Sequence, residues 1–197
     1  MDTRSFLSVL DPADTSSGGG SACALAGAMA AALVAMVARL PVRSGSPAGA
    51  KAFGQLAAEA EALSAELLQG ATEDTQAYRG LRAAYRLPRQ TTEQQAERQR
   101  VIQQAARLAT HVPLSNAHRC WQVLQIEARL RGFSNPSAAA DLRCAAYLAE
   151  AGLLGCVATA EANLPLIKDE VQAAQLAGQA RELRAAALNR SDSAAGE

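Results

Sequence analysis

Seventeen consecutive residues, Ala22 to Ala38, carry no charge, and this run restricts the fold more than any other feature of the chain. Its length is close to the minimum for a bilayer-spanning helix. Alanine dominates it, however, and its few large side chains would drive insertion only weakly, so the expectation is a helix buried inside a soluble protein. The rest of the chain points the same way. Its 197 residues include 47 Ala and 24 Leu, against 9 Val, 3 Ile, 8 Thr and 7 aromatics. β-Branched and aromatic side chains suit a pleated surface, whereas Ala, Leu, Arg, Gln and Glu lose little on entering a helix. An all-α fold is expected. An alanine core buries little area per residue, so the helices must approach closely or gain surface from a second chain, and an oligomer is expected as well.

Turn signals divide the sequence into about seven or eight helices. A short helix over 3–10 ends at Asp11-Pro12, and the polar stretch from Thr15 to Ser21 runs into the apolar helix, which Pro41 stops. Beyond a Ser/Gly/Pro-rich loop over 43–49, Phe53, Leu56, Ala60, Leu63 and Leu67 mark one stripe of a helix closing near Gly70. A new start at Thr72, followed by Glu73 and Asp74, leads to Leu87-Pro88. The next amphipathic helix covers 93–112, and Pro113 begins its successor. Asn135-Pro136 reads as an N-cap and first turn of a second apolar helix reaching about 162. Asn163 and Pro165 open a last helix to about 189. These elements suggest a single antiparallel bundle with two mostly apolar central helices, one domain over 1–190 and a disordered tail over 191–197.

Charge and cysteines exclude several functions. With 19 basic and 19 acidic side chains, no global field draws the chain to nucleic acid or an anionic membrane, and neither partner is expected. Cys23, Cys120, Cys144 and Cys156 are widely spaced and read as reduced, buried residues. His111 and His118, placed on different helices by Pro113, lack a third ligand, so no metal site or nucleophile triad is expected. Nothing at the N-terminus resembles a secretory signal, and a cytoplasmic location is the default expectation.

Three features could carry chemistry. Gly18-Gly19-Gly20-Ser21 opens a helix, where free amides and the dipole attract an anionic or carbonyl group; equally, it is an entry loop with Ser21 as N-cap. It is neither a phosphate loop nor a dinucleotide fingerprint. Asp74, Tyr78, Leu81 and Tyr85 share a helix face. In a partly dry cleft the acid's pKa would rise toward neutrality and fit it for proton transfer; in a solvated first turn it would only complement the dipole. Asn135, Asp141 and Asn163 punctuate the second apolar helix. Capping explains the two asparagines, while Asp141 among alanines would need partners if buried.

Taken in order, these features resemble the cyclodeaminase/cyclohydrolase family of folate enzymes over nearly the whole chain. The resemblance rests on Gly18-Gly19-Gly20-Ser21-Ala22 leading into the apolar helix, Glu73-Asp74-Thr75-Gln76-Ala77-Tyr78, Tyr85-Arg86-Leu87-Pro88, Ile102-Gln103-Gln104-Ala105, Val112-Pro113-Leu114, Asn135 ahead of Asp141, and Asn163-Leu164. It implies an all-helical homodimer that binds a tetrahydrofolate derivative as substrate, with neither metal nor cofactor. It implies Asp74 as general acid/base, acting as a methenyltetrahydrofolate cyclohydrolase or formiminotetrahydrofolate cyclodeaminase. Gly18, Gly19, Gly20, Ser21, Tyr78, Asn135, Asp141 and Asn163 are then the expected substrate contacts. The chain departs from the family pattern at Ser17, usually proline, at Ala140, usually serine, at Thr159, usually asparagine, and over 41–46, commonly basic. A diverged member that binds a small molecule or partner protein without turnover, or amidine chemistry on a non-folate substrate, are the alternative readings.

Overall fold

The computed structural model describes residues 17–41 and 47–194. Among the described residues there are five α-helices and no strand: α1 Gly19–Arg39, α2 Pro47–Tyr85, α3 Thr92–Leu130, α4 Ala139–Asn163 and α5 Glu170–Ala194. Single-turn 3₁₀ segments, Pro136–Ala138 and Leu164–Leu166, flank α4. The helix expected over 3–10 lies outside the described residues, and the last helix continues past its expected end near 189. The all-α expectation is met, with fewer and longer helices than seven or eight.

Two expected breaks are absent, for separable reasons. Gly70 lies inside α2, and a Cβ there would collide with the buried side-chain amide of Asn116 on α3. The glycine admits a neighbour and does not stop the helix. Pro113 lies inside α3, where it cannot donate to the carbonyl of Ala109 one turn back. Asn163 supplies the missing donor from α4, its Nδ2 donating to the Ala109 oxygen at 2.8 Å. One consequence is that His111 and His118 share α3 and line one groove, in contrast to their expected separation.

α1 packs between α2 and α4, with α3 behind it and α5 laid on α3 and α4. Neighbouring helices in chain order run antiparallel: Ser64 of α2 donates to the Ala28 carbonyl at 3.0 Å, while Ser21 meets Asp74 further along. Small residues let these helices approach closely. The space of a Gly27 Cβ is taken by Cys120 Sγ, that of Gly155 by Cys23 Sγ, and that of Gly152 by the Cys23 carbonyl at 2.8 Å. This packing accounts for an alanine-filled core. Cys120 and Cys156 are buried as expected, Cys23 is half-buried, and Cys144 is exposed, contrary to expectation. Burial pushes the Cys120 thiol up to about 12. Both α1 and the segment 136–166 are long and apolar enough to cross a membrane by length and composition. In the bundle they are its two adjoining apolar helices.

Candidate active site

Asp74 and the triglycine bend meet. Gly18 is the N-cap of α1 and has no side chain with which to cap it, so the first amides of α1 need partners from elsewhere. Asp74 reaches across from α2 to supply one. Its carboxylate accepts from the Ser21 hydroxyl at 2.9 Å and from the Ser21 backbone N–H. Ser21 is therefore in the first turn, fully buried, and not itself the cap. Gly20 makes the approach feasible, because a Cβ there would stand 2.5 Å from Asp74 Oδ1 and 2.8 Å from its Cγ. Gly18 and Gly19 are exposed. A Cβ on Gly18 would meet nothing within 4 Å, and one on Gly19 only Thr159 Oγ1 at 3.9 Å. The bend is thus filled by carboxylate at its third glycine and open at its first two.

The electrostatics of Asp74 are a contest. Burial of the half-exposed side chain raises its pKa above the ordinary aspartate value, and the two Ser21 hydrogen bonds oppose that rise. The helix dipole of α1 adds to the opposition. The burial effect is the largest of those acting on the group. The protonated form is consequently more accessible than for a surface acid, while the ionised form still has donors to hold it. Both states are needed for proton transfer in either sense.

Two hydroxyls extend the site beyond what the spacing indicated. Thr75 Oγ1 lies 3.0 Å from Ser21 Oγ and 3.0 Å from Ser17 Oγ, and 3.3 Å from the Ala71 carbonyl. Thr75 adjoins Asp74 in the acidic motif, which was the available signal; Ser17 stood out only as a departure from proline. Cys156 Sγ closes the floor, 3.9 Å from the Gly20 carbonyl.

The other expected contacts are distributed unevenly. Tyr78 stands one turn beyond Asp74 on α2, 41% exposed, with the Arg82 guanidinium 5.9 Å from its ring centre. Asn163 is committed through Nδ2 to Ala109. Asn135 caps the 3₁₀ turn, its Oδ1 accepting from Ser137 N at 3.0 Å, and its Nδ2 donates to the Pro41 carbonyl at 2.8 Å. Pro41 follows the far end of α1, whose 21 residues amount to ~30 Å. Asn135 is therefore a helix length from Asp74 in the same subunit. It lines a cavity of about 720 Å³ with Arg143 and Tyr147. Asp141 is exposed in the first turn of α4, so the partners a buried carboxylate would demand are not required. Among the described residues no three His, Cys, Asp or Glu side chains converge as metal ligands would.

Comparison with known proteins gives a consistent result. A family profile described as Formiminotransferase-cyclodeaminase matches residues 2–182. A methenyltetrahydrofolate cyclohydrolase of Methylorubrum extorquens is 33% identical over 151 residues, covering 76% of this chain and 73% of its own. The formimidoyltransferase-cyclodeaminase of Rattus norvegicus is 29% identical over 175 residues, 85% of this chain and 31% of its own. The chain thus spans about a third of that mammalian relative. A crystal structure of formiminotetrahydrofolate cyclodeaminase from Thermotoga maritima superposes with a TM-score of 0.82 at 22% identity, covering 96% of this chain and 91% of that one. That likeness concerns the fold.

Proposed function

Because the chain belongs to the formiminotransferase-cyclodeaminase family of folate one-carbon metabolism, we propose that it acts on a tetrahydrofolate derivative with Asp74 as general acid/base. The reaction is opening of the methenyl ring by water or its closure with loss of ammonia. In both, one carbon lies between two nitrogens, and its oxidation level does not change, so no redox cofactor is invoked. As a base, Asp74 takes a proton from water attacking that carbon; as an acid, it returns one to the departing nitrogen. The methenyl substrate is already an electrophilic cation and the formimino carbon is electrophilic too, so no covalent nucleophile is required. Exposed amides of Gly18 and Gly19 would hold a carbonyl of the ligand beside the carboxyl, and Tyr78 would border it. The observation that carries this reading is the contact of the Asp74 carboxylate with Gly20 and Ser21, beside two exposed glycines.

The reading includes a second copy of the chain. α1 presents Leu25, Met29, Ala32 and Met36 outward, and α4 presents Cys144, Tyr147, Ala151 and Ala158, with no charge among them. Two copies meeting on this face about a two-fold axis perpendicular to α1 would exchange its ends. Asn135 and Asp141 of one copy would then approach Asp74 and Tyr78 of the other as substrate contacts. With their apolar faces covered within the bundle and between copies, the chains would be soluble. The assay is decay of the methenyltetrahydrofolate chromophore alongside ammonia release from 5-formiminotetrahydrofolate. Turnover of one identifies the reaction, and turnover of neither refutes the reading.

A further inference from the structure

We infer that Ser21, Thr75 and Ser17 form a proton relay connecting Asp74 with the surface. The inference rests on the reading of Asp74 as acid/base and goes beyond it by specifying how that group exchanges its proton. The links are continuous: Ser21 Oγ donates to Asp74 Oδ2 at 2.9 Å, Ser21 Oγ and Thr75 Oγ1 are 3.0 Å apart, and Thr75 Oγ1 and Ser17 Oγ are 3.0 Å apart. Every link lies within ordinary O–H···O range. Ser21 is fully buried, whereas Thr75 and Ser17 are partly exposed, so the chain of hydroxyls leads outward. The alternative acceptor for Thr75, the Ala71 carbonyl, is farther away at 3.3 Å.

A hydroxyl both donates and accepts. With Ser21 donating to Asp74, its oxygen is left to accept from Thr75, whose oxygen in turn accepts from Ser17. In that order a proton entering at Ser17 displaces one at each oxygen and arrives on Asp74. The reversed order carries one outward. Only O–H bonds are made and broken, and nothing is oxidised or reduced.

The chemistry requires such an exchange. Hydrolysis of the methenyl cation by neutral water gives a neutral formyl product, so one proton must leave the site per turnover. Formation of the cation and ammonia from a neutral formimino group takes one up. A ligand lying over Gly18 and Gly19 would cover the open side of Asp74, while the relay keeps it in contact with solvent along α2.

The test measures steady-state rates of wild type, Thr75→Val, Thr75→Ser and Ser17→Ala, with and without added imidazole at constant ionic strength. Thr75→Val is expected to lower kcat about tenfold, short of the ~10²-fold lower end for losing an acid/base group outright, with KM unchanged. Imidazole should restore the rate in a concentration-dependent manner, and Thr75→Ser should recover what valine loses. Ser17→Ala, at the outer end, should show the same imidazole-dependent loss. A Thr75→Val enzyme with wild-type kcat, or a loss that imidazole does not restore, would overturn the relay alone. A wild type inactive on both folates would overturn the functional reading and the relay with it.

Discussion

Gly20 and Asp74 are complementary to within a single atom, and their pairing explains why an acid of α2 and a glycine of α1 are both present. Gly20→Ala places a Cβ 2.5 to 2.8 Å from the carboxyl atoms, so it should displace Asp74 and destabilise the fold by ~1–3 kcal/mol. Gly18→Ala, with open space around it and extended backbone, should cost less in both activity and urea midpoint. Asp74 also gives stability a pH dependence. Its carboxyl titrates higher folded than unfolded, so the folded state binds more protons between the two values and stability falls as pH rises through that interval. Urea midpoints of wild type should therefore fall relative to those of Asp74→Asn from pH 4 upward, where an unperturbed aspartate titrates at about 3.9; parallel midpoints would contradict the assigned shift. The sequence made Asp74 and the glycines visible separately. It placed the acid in the first turn of its own helix, whereas it lies inside α2 and serves the first turn of α1, a relation that local spacing does not express.

At the scale of elements, Pro113 and Asn163 form a unit. The proline leaves the buried Ala109 carbonyl without its helical donor, and Asn163 replaces that donor from α4. Asn163→Ala should cost about 1–3 kcal/mol through the orphaned acceptor. Pro113→Ala restores an N–H to α3, so the double variant should recover part of that loss, and a urea-denaturation cycle measures the coupling. Additive losses would contradict the pairing. Helix identity was legible from alanine, leucine and the apolar stripes, and the Asn135 cap was legible from its proline. Helix length was not. Gly70 and Pro113 have the local chemistry of breaks, but Gly70 makes room for Asn116 and the donor that Pro113 lacks is replaced by Asn163, both side chains arriving from another helix.

At the scale of the molecule, the apolar face of α1 and α4, edged by Arg143 and Glu150 beside Tyr147, is where a second copy is expected. Met29 and Met36, 38% and 42% exposed, and Tyr147, 70% exposed, would be covered there. Met29→Lys should shift the chain from dimer to monomer in analytical ultracentrifugation. Mixing inactive Asp74→Asn and Asp141→Asn chains should regain activity in the heterodimer, which carries one intact site. A monomeric wild type, or no regain on mixing, would remove the shared-site arrangement. The alanine-rich composition pointed to close packing and a second chain, but it could not show the separation of Asn135 and Asp141 from Asp74, since only topology decides which end of a bundle a residue occupies. The most direct test of the account is the pH profile of kcat for methenyltetrahydrofolate hydrolysis and for ammonia release, in wild type and Asp74→Asn. The account predicts, in whichever reaction the chain catalyses, one ionisation above the ordinary aspartate value, and loss of that ionisation with at least a ~10²-fold fall in kcat on substitution. An Asp74→Asn enzyme with kcat near that of wild type and the same profile would contradict it.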